Sequence, residues 1–251
     1  MAGIYCFQSV QELADELCRD FSNHMSLLAG ESKKINLAFS GGSTPKVFFD
    51  HLGAQQQRQG KKLSWSNIHI FWVDERCVPP GHPDSNYGMT REHLLQKINI
   101  PESNIHRIIG ESEPAGEARR YSDEILRHVG QENGMPVFDW LFLGIGDDGH
   151  TASIFPDRMG LLLSEQVCET ARHPSSGQYR ITLTGKPIML ANRTTFLVAG
   201  KSKSTVIRQI FQGEPEAERY PAGYITAKGR RIEYYLDNEA AAHITTKCHG
   251  K

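Results

Sequence analysis

Ile35-Asn36-Leu37-Ala38-Phe39-Ser40-Gly41-Gly42-Ser43-Thr44-Pro45 joins a short apolar run to paired glycines and a proline. Residues 35–40 read as a buried strand, because a brief apolar run bounded by turn residues suits a strand covered on both faces. Proline fits the first turn of a helix, where a missing N–H costs nothing. A helix is therefore predicted to start there and to carry Val47, Phe48 and Leu52. The same alternation extends outward. Upstream, Val10, Leu13, Ala14, Leu17, Cys18, Phe21 and Met25 follow helical spacing, with Ser9 and Glu12 as a capping box. Downstream, residues 68–73, 138–144, 180–184, 194–199 and 232–236 read as strands, and 87–98, 117–131 and 202–212 as helices. Apolar strands alternating with amphipathic helices predict an α/β fold, a mostly parallel sheet with helices on both faces. Residues 1–251 show no repeat, low-complexity tract or linker. Segments 172–179 and 213–224 read as loops too short to divide the chain, so a single domain is predicted.

Composition excludes several classes. With 28 basic and 29 acidic residues the net charge is −1, without the basic excess of a general nucleic-acid binder. Hydrophobic residues make up 39% and charged ones 23%, too apolar for a disordered chain. No apolar run approaches the roughly 20 residues of a membrane-spanning helix. The start, Met-Ala-Gly-Ile-Tyr-Cys, lacks the features of a secretion signal, and the closing Lys-Cys-His-Gly-Lys is no prenylation box. Cys6, Cys18, Cys77, Cys168 and Cys248 are odd in number, widely spaced and without a Cys-x-x-Cys pair. They predict neither a disulfide framework nor a zinc ribbon. The expectation is a soluble protein of a reducing compartment, the cytoplasm.

In an open parallel sheet, ligands bind beyond the carboxyl ends of the strands, and four such junctions carry chemistry. Gly41-Gly42-Ser43-Thr44 before a helix forms either an anion cradle of backbone N–H groups and hydroxyls or an ordinary capped turn. It is not a Walker A loop, since no Gly-Lys-Ser/Thr follows. Asp74-Glu75-Arg76, with Asp84-Ser85-Asn86-Tyr87 beyond it, is either functional or a salt-bridged sheet rim. Gly144-Ile145-Gly146-Asp147-Asp148-Gly149-His150 formally matches Gly-x-Gly-x-x-Gly. However, Asp147 and Asp148 would repel a pyrophosphate, and Pro156 limits any helix running from Gly149. What remains is a flexed loop presenting His150 beside Asp148, a candidate general base with a carboxylate to orient it; a structural histidine is the alternative. In Gly200-Lys201-Ser202-Lys203-Ser204, cations at a helix start oppose the macrodipole by about 0.3–1 kcal/mol each. A bound anion would remove that conflict, while solvated lysines are the plainer reading.

Other signals are weak. The eleven histidines show no His-x-x-x-His or matched Cys/His spacing, so no metal site is expected. Ser43 lacks the surroundings of a nucleophile elbow. The pairs Lys61-Lys62 and Arg230-Arg231 read as solvated surface.

Taken together, Ser40-Gly41-Gly42-Ser43-Thr44-Pro45, Asp74-Glu75-Arg76 with Ser85-Asn86-Tyr87, residues 144–156, and Arg180-Ile181-Thr182-Leu183-Thr184 occur in an order that resembles the 6-phosphogluconolactonase family over nearly the whole chain. The third block is the most specific. The resemblance implies a Rossmann-like α/β fold, related to that of glucosamine-6-phosphate deaminase, and no metal or organic cofactor. It implies that Gly41, Gly42 and Ser43 form a phosphate loop, that Arg180 and Lys203 hold phosphate, that Arg76 faces substrate, and that His150 is the catalytic histidine. The chain departs from the family pattern at residues 173–179, which replace a proline-rich lead-in, and at Gly185-Lys186, within a stretch normally more apolar.

The implied reaction is hydrolysis of 6-phospho-D-glucono-1,5-lactone to 6-phospho-D-gluconate in the pentose phosphate pathway. His150 takes a proton from the attacking water, Asp148 holds the imidazole, and Asp74 orders water or sugar hydroxyls. The sister deaminase chemistry resembles a block ending Asn-Glu-Pro, but here Phe155 stands before the proline and carries no proton. A sugar-phosphate sensor domain would need a DNA-binding segment for which the chain has no spare length, and a nicotinamide enzyme is disfavoured by the two aspartates. The expected partner is a small sugar-phosphate lactone, with no nucleic acid or membrane, for a monomer or homodimer.

Overall fold

Each of the six stretches read as a strand contains one, and all but one join the same sheet. The computed structural model describes residues 2–29, 34–58, 63–245 and 248. In chain order the elements are β1 (Gly3–Phe7), α1 (Val10–Ala29), β2 (Ile35–Phe39), α2 (Ser43–Gln57), β3 (Ile68–Trp72), β4 (Asp74–Arg76), α3 (Asn86–His93), β5 (Ile105–His106) and α4 (Pro114–His128). They continue with β6 (Gln131–Glu132), β7 (Met135–Pro136), β8 (Trp140–Leu143), β9 (Cys168–Arg172), β10 (Tyr179–Leu183), α5 (Gly185–Leu190), β11 (Thr194–Val198), α6 (Ser204–Gln212), α7 (Pro221–Lys228) and β12 (Ile232–Asp237).

Seven strands form a sheet in the order β1-β12-β11-β8-β2-β3-β5, and each neighbouring pair is parallel. Every residue of β2, β3, β8 and β11 is buried, and this burial on both faces explains why the strands are mostly apolar. Phe39 and Phe142 lie side by side in register and meet Phe48 and Phe49 of α2, while Phe142 also contacts Phe21 of α1. Phe196 pairs with Leu143, one residue out of phase, and therefore faces the other way, stacking on Tyr234 against Phe211 beyond it. Helices thus cover both faces in a Rossmann-like arrangement.

The run at 180–184 is the exception. It becomes β10, the centre of a separate antiparallel sheet β4-β10-β9. Val73 joins the two sheets: its N–H donates to the Phe39 carbonyl at 3.0 Å, and its own carbonyl accepts from the Leu183 N–H at 2.7 Å.

Several boundaries differ from expectation. The predicted helix at 87–98 stops at His93, because Leu94 leaves helical geometry (φ −132°, ψ −59°), and only a 3₁₀ turn over Leu95–Lys97 follows. The helix expected over 117–131 begins at Pro114, where the Glu113 carboxylate accepts from the Ala115 and Gly116 N–H groups, and it ends at His128. The α-helix predicted from Ser202 starts at Ser204 after a 3₁₀ turn, and the stretch read as loop at 213–224 contains the start of α7. The disulfide expectation is corrected: Cys6 is bonded to Cys248, with Cα atoms 5.6 Å apart. A separation of 242 residues hides this pairing in the sequence. β1 reaches the C-terminal region because it pairs with β12, Cys6 beside Leu236. Lys61-Lys62 lies outside the described residues.

Candidate active site

The chain leaves the middle of the sheet in opposite directions, from β2 toward β3 and β5 and from β8 toward β11, β12 and β1. A crevice opens beyond the carboxyl ends of β2 and β8 at such a switch point. It holds about 210 Å³ and is walled by Gly41, Gly42 and Ser43, by Asp74, Arg76 and Arg180, and by His150 and Lys203. Eight of the nine site residues expected from the sequence share this one cleft; the ninth, Asp148, is bonded to His150.

The glycine loop opens α2 with Gly42 as its cap residue and no capping side chain. Ser43 and Thr44 therefore present N–H groups without intrahelical partners, where the helix dipole favours an anion. Gly41 is required by close approach: a Cβ there would fall 1.8 Å from Asn86 Oδ1. Asn86 donates from Nδ2 to the Asp74 carbonyl at 2.9 Å and to Asp74 Oδ1 at 3.3 Å. Asp74 Oδ2 accepts from the Ser153 hydroxyl at 2.7 Å, so the buried carboxylate is fixed from two sides.

Glu75, by contrast, is structural. Its buried carboxylate accepts from the Asn86 and Tyr87 N–H groups and the Ser85 hydroxyl, stapling the start of α3. Burial raises its pKa, against the opposing pull of those backbone donors.

Arg76 and Arg180 are direct neighbours across β4 and β10. Arg76 Nη1 donates to the Asp84 carbonyl at 2.6 Å. Neither guanidinium pairs with a carboxylate within 4 Å among the described residues, and both Nε atoms are buried without a partner. Burial draws the Arg180 pKa down, only partly offset by Asp74. Two adjacent cations without a carboxylate at ion-pair distance among the described residues, beside a helix start with no capping side chain, are an arrangement that an anion would neutralise. Lys203 stands opposite and pairs with Asp147, whose pKa it lowers; Ser202 donates to the same oxygen at 3.1 Å.

His150 sits on a turn closed by Gly146 N–H to the His150 carbonyl at 2.9 Å and Gly149 N–H to the Gly146 carbonyl at 3.0 Å. Gly146 is needed here, because a Cβ would lie 2.1 Å from His150 Nδ1. Nδ1 is 2.6 Å from Asp148 Oδ1, which leaves Nε2 as the nitrogen available to a ligand. Burial works to raise the Asp148 pKa, but the bond and charge of His150 prevail and hold it below the ordinary value. The imidazole is 29% exposed and packs against Phe155 at 4.8 Å between ring centres. Ala152 in the same loop holds φ +52°, uncommon for a residue with a side chain. A 3₁₀ turn, not an α-helix, follows from Pro156, so the loop has none of the helix on which a dinucleotide phosphate would rest.

Sequence reading missed Asn86 and Ser153 as supports of Asp74 and Ser40 as a wall of the cleft with a buried, unpartnered hydroxyl. Ser85-Asn86-Tyr87 was visible as a motif, but nothing local shows that Asn86 reaches Gly41.

The family model described as glucosamine-6-phosphate isomerases/6-phosphogluconolactonase matches residues 8–233. A 6-phosphogluconolactonase of Haemophilus influenzae is 40% identical over 93% of this chain and 96% of its own. A human 6-phosphogluconolactonase is 36% identical over 97% and 93%. The solved 6-phosphogluconolactonase from Trypanosoma cruzi superposes with a TM-score of 0.84 at 26% identity, covering 98% of each chain.

Proposed function

The chain belongs to the glucosamine-6-phosphate isomerase/6-phosphogluconolactonase family, and from that premise we propose that its cleft hydrolyses 6-phospho-D-glucono-1,5-lactone to 6-phospho-D-gluconate through His150. The observation that carries the reading is the placement of the His150–Asp148 pair in the same cleft as two guanidiniums without counter-charges.

The substrate's phosphate binds at the start of α2, between the Ser43 and Thr44 N–H groups, Arg180 and Lys203. Lys203 exchanges Asp147 for the phosphate. Anchoring this remote group directs binding energy to the placement of C1. His150 Nε2 removes a proton from water as its oxygen bonds to C1. The resulting oxyanion faces Arg76, whose guanidinium is not neutralised by a carboxylate. When the bond from C1 to the ring oxygen breaks, the imidazolium returns its proton to that oxygen. The product carboxylic acid then ionises and releases a proton. Asp148 stabilises the imidazolium and fixes the ring, and Asp74, held by Asn86 and Ser153, orders the sugar hydroxyls or the water. These steps require no cofactor.

Deamination of an amino sugar would call for a second proton-carrying group beside the histidine. Phe155, packed on the imidazole, offers none. With this function goes one functional unit, monomer or homodimer, in the cytoplasm and without nucleic-acid or membrane partners; the Cys6–Cys248 bond is the observation that stands against a reducing compartment. The near-zero net charge argues against a general nucleic-acid partner, and among the described residues no helix is long and apolar enough to cross a membrane. Freshly prepared lactone is expected to release acid faster with the protein than in buffer, and His150→Ala to remove the excess by about 10² to 10⁴ in rate. No excess over spontaneous opening, or full activity in the variant, would overturn the reading.

A further inference from the structure

At the opposite end of β3 from the cleft, three histidines from three elements converge. His69 is the second residue of β3, His106 ends the edge strand β5, and His128 ends α4. One ligand atom from each lies within 4.8 Å of the others. We propose that His69, His106 and His128 form a site for a divalent zinc-class ion, clamping the two-residue edge strand β5 to its neighbour β3 and to α4.

The hydrogen-bond pattern argues for this. Glu124 Oε1 is 2.7 Å from His106 Nδ1 and 3.4 Å from His128 Nε2. A carboxylate there fixes the protons on those two nitrogens, leaving lone pairs on His106 Nε2 and His128 Nδ1. The first is met by His69 Nδ1 at 2.9 Å; the second is buried and has no partner. A proton can satisfy one of the two lone pairs, whereas an ion satisfies both, with the His69 proton moving to Nε2. A carboxylate behind a ligating histidine is the usual way to hold an imidazole for metal.

Two of the rings, those of His69 and His106, are buried, which shields the ligand atoms from competing water. Tetrahedral zinc with bonds of about 2.0–2.1 Å sets its nitrogens about 3.3 Å apart, so on binding the His69–His106 pair, 2.9 Å apart, opens slightly while wider separations within the 4.8 Å cluster close. The His128 side chain is 28% exposed, so the cluster lies close to the surface. Three imidazoles favour zinc, cobalt or nickel over magnesium or calcium.

The test uses tag-free, chelator-treated protein titrated with zinc and separately with cobalt, read by calorimetry, visible absorption and thermal melting. The expected result is one ion per chain, tetrahedral cobalt bands and a higher melting temperature. His128→Gln should weaken binding at least tenfold, Glu124→Gln about 10- to 100-fold, and His150→Ala should leave it unchanged. Failure to bind at stoichiometric concentration, indifference to both His128→Gln and Glu124→Gln, or loss of binding in His150→Ala would each overturn the assignment.

Discussion

Asp148→Asn separates holding the imidazole from carrying its proton. Asparagine keeps a carbonyl oxygen that can accept from His150 Nδ1, so the ring stays oriented and Nε2 stays free. What is lost is the negative charge that stabilises the imidazolium as water is deprotonated. A hydrogen bond to a charged group contributes about 1.5–3 kcal/mol when shielded. Here the side chains of Asp148 and His150 are 46% and 29% exposed, and exposed ion pairs are worth about 0–1 kcal/mol. A value between these, about 1–2 kcal/mol, corresponds to a 5- to 30-fold fall in kcat at about 1.36 kcal/mol per decade. KM should change little, since Asp148 lies outside the phosphate end of the cleft. A pH-stat recording acid release from fresh lactone, corrected for spontaneous opening, gives both constants. A fall as deep as that of His150→Ala would make Asp148 part of the proton transfer itself, and an unchanged kcat would show the pair idle in the chemistry. Either refutes the assignment of a positioning role.

Lys203→Ala should raise KM about 10- to 100-fold through loss of a charge-assisted bond to phosphate, with the melting temperature nearly unchanged because its partner Asp147 is exposed; substrate titration of the initial rate decides it. Gly41→Ala forces a Cβ onto Asn86, so denaturant melts should show a loss of about 1–3 kcal/mol from overpacking, with activity falling as Asp74 loses a support. Acid should weaken the chelator-treated, metal-free protein: burial pushes the His69 imidazole down to about 4, below its ordinary 6.5, so between these values the unfolded chain binds the extra proton. Stability conferred by the neutral ring is complete above about pH 6.5 and declines toward pH 4 by at most about 3 kcal/mol. Urea melts at pH 7 and pH 5 measure this, and a smaller pH dependence in wild-type than in His69→Gln would contradict it.

What could be read from the sequence is what sits next to itself in the chain. Each strand and the loop after it form one stretch, so the glycine loop, the Asp74-Glu75-Arg76 rim and the His150 turn were visible as motifs with a location. Supports of those motifs were not: Asn86 reaches Gly41, Ser153 reaches Asp74 across 79 residues, and side-chain packing between distant elements leaves no spacing to detect. The same blindness hid the Cys6–Cys248 bond and the His69–His106–His128 cluster, whose members stand on separate elements with none of the short repeats that mark a metal motif. β4 and β9 were lost for another reason. β4 is three consecutive charged residues, Asp74-Glu75-Arg76, and β9 is Cys168-Glu169-Thr170-Ala171-Arg172, so neither carries an apolar run or a regular alternation from which a strand could be read.

The one strand read correctly as a strand but assigned to the wrong sheet explains why the cleft is cationic in a chain of net charge −1. Had residues 180–184 joined the parallel sheet, Arg180 would begin a strand at the amino ends, far from the loops. Instead Val73 bonds to β2 on one side and accepts from Leu183 on the other, so the chain leaves β3 directly into β4 of the antiparallel sheet. That turn carries Asp74, Glu75 and Arg76 over the carboxyl ends and lays Arg180 beside Arg76 in register. Two like charges held side by side repel, and among the described residues no carboxylate stands at ion-pair distance from either. Their juxtaposition is tolerable where an anionic substrate resides for part of the time, its phosphate on Arg180 and its developing oxyanion on Arg76 in the reaction proposed above, and it is the switch of sheets at Val73 that brings both arginines into the cleft.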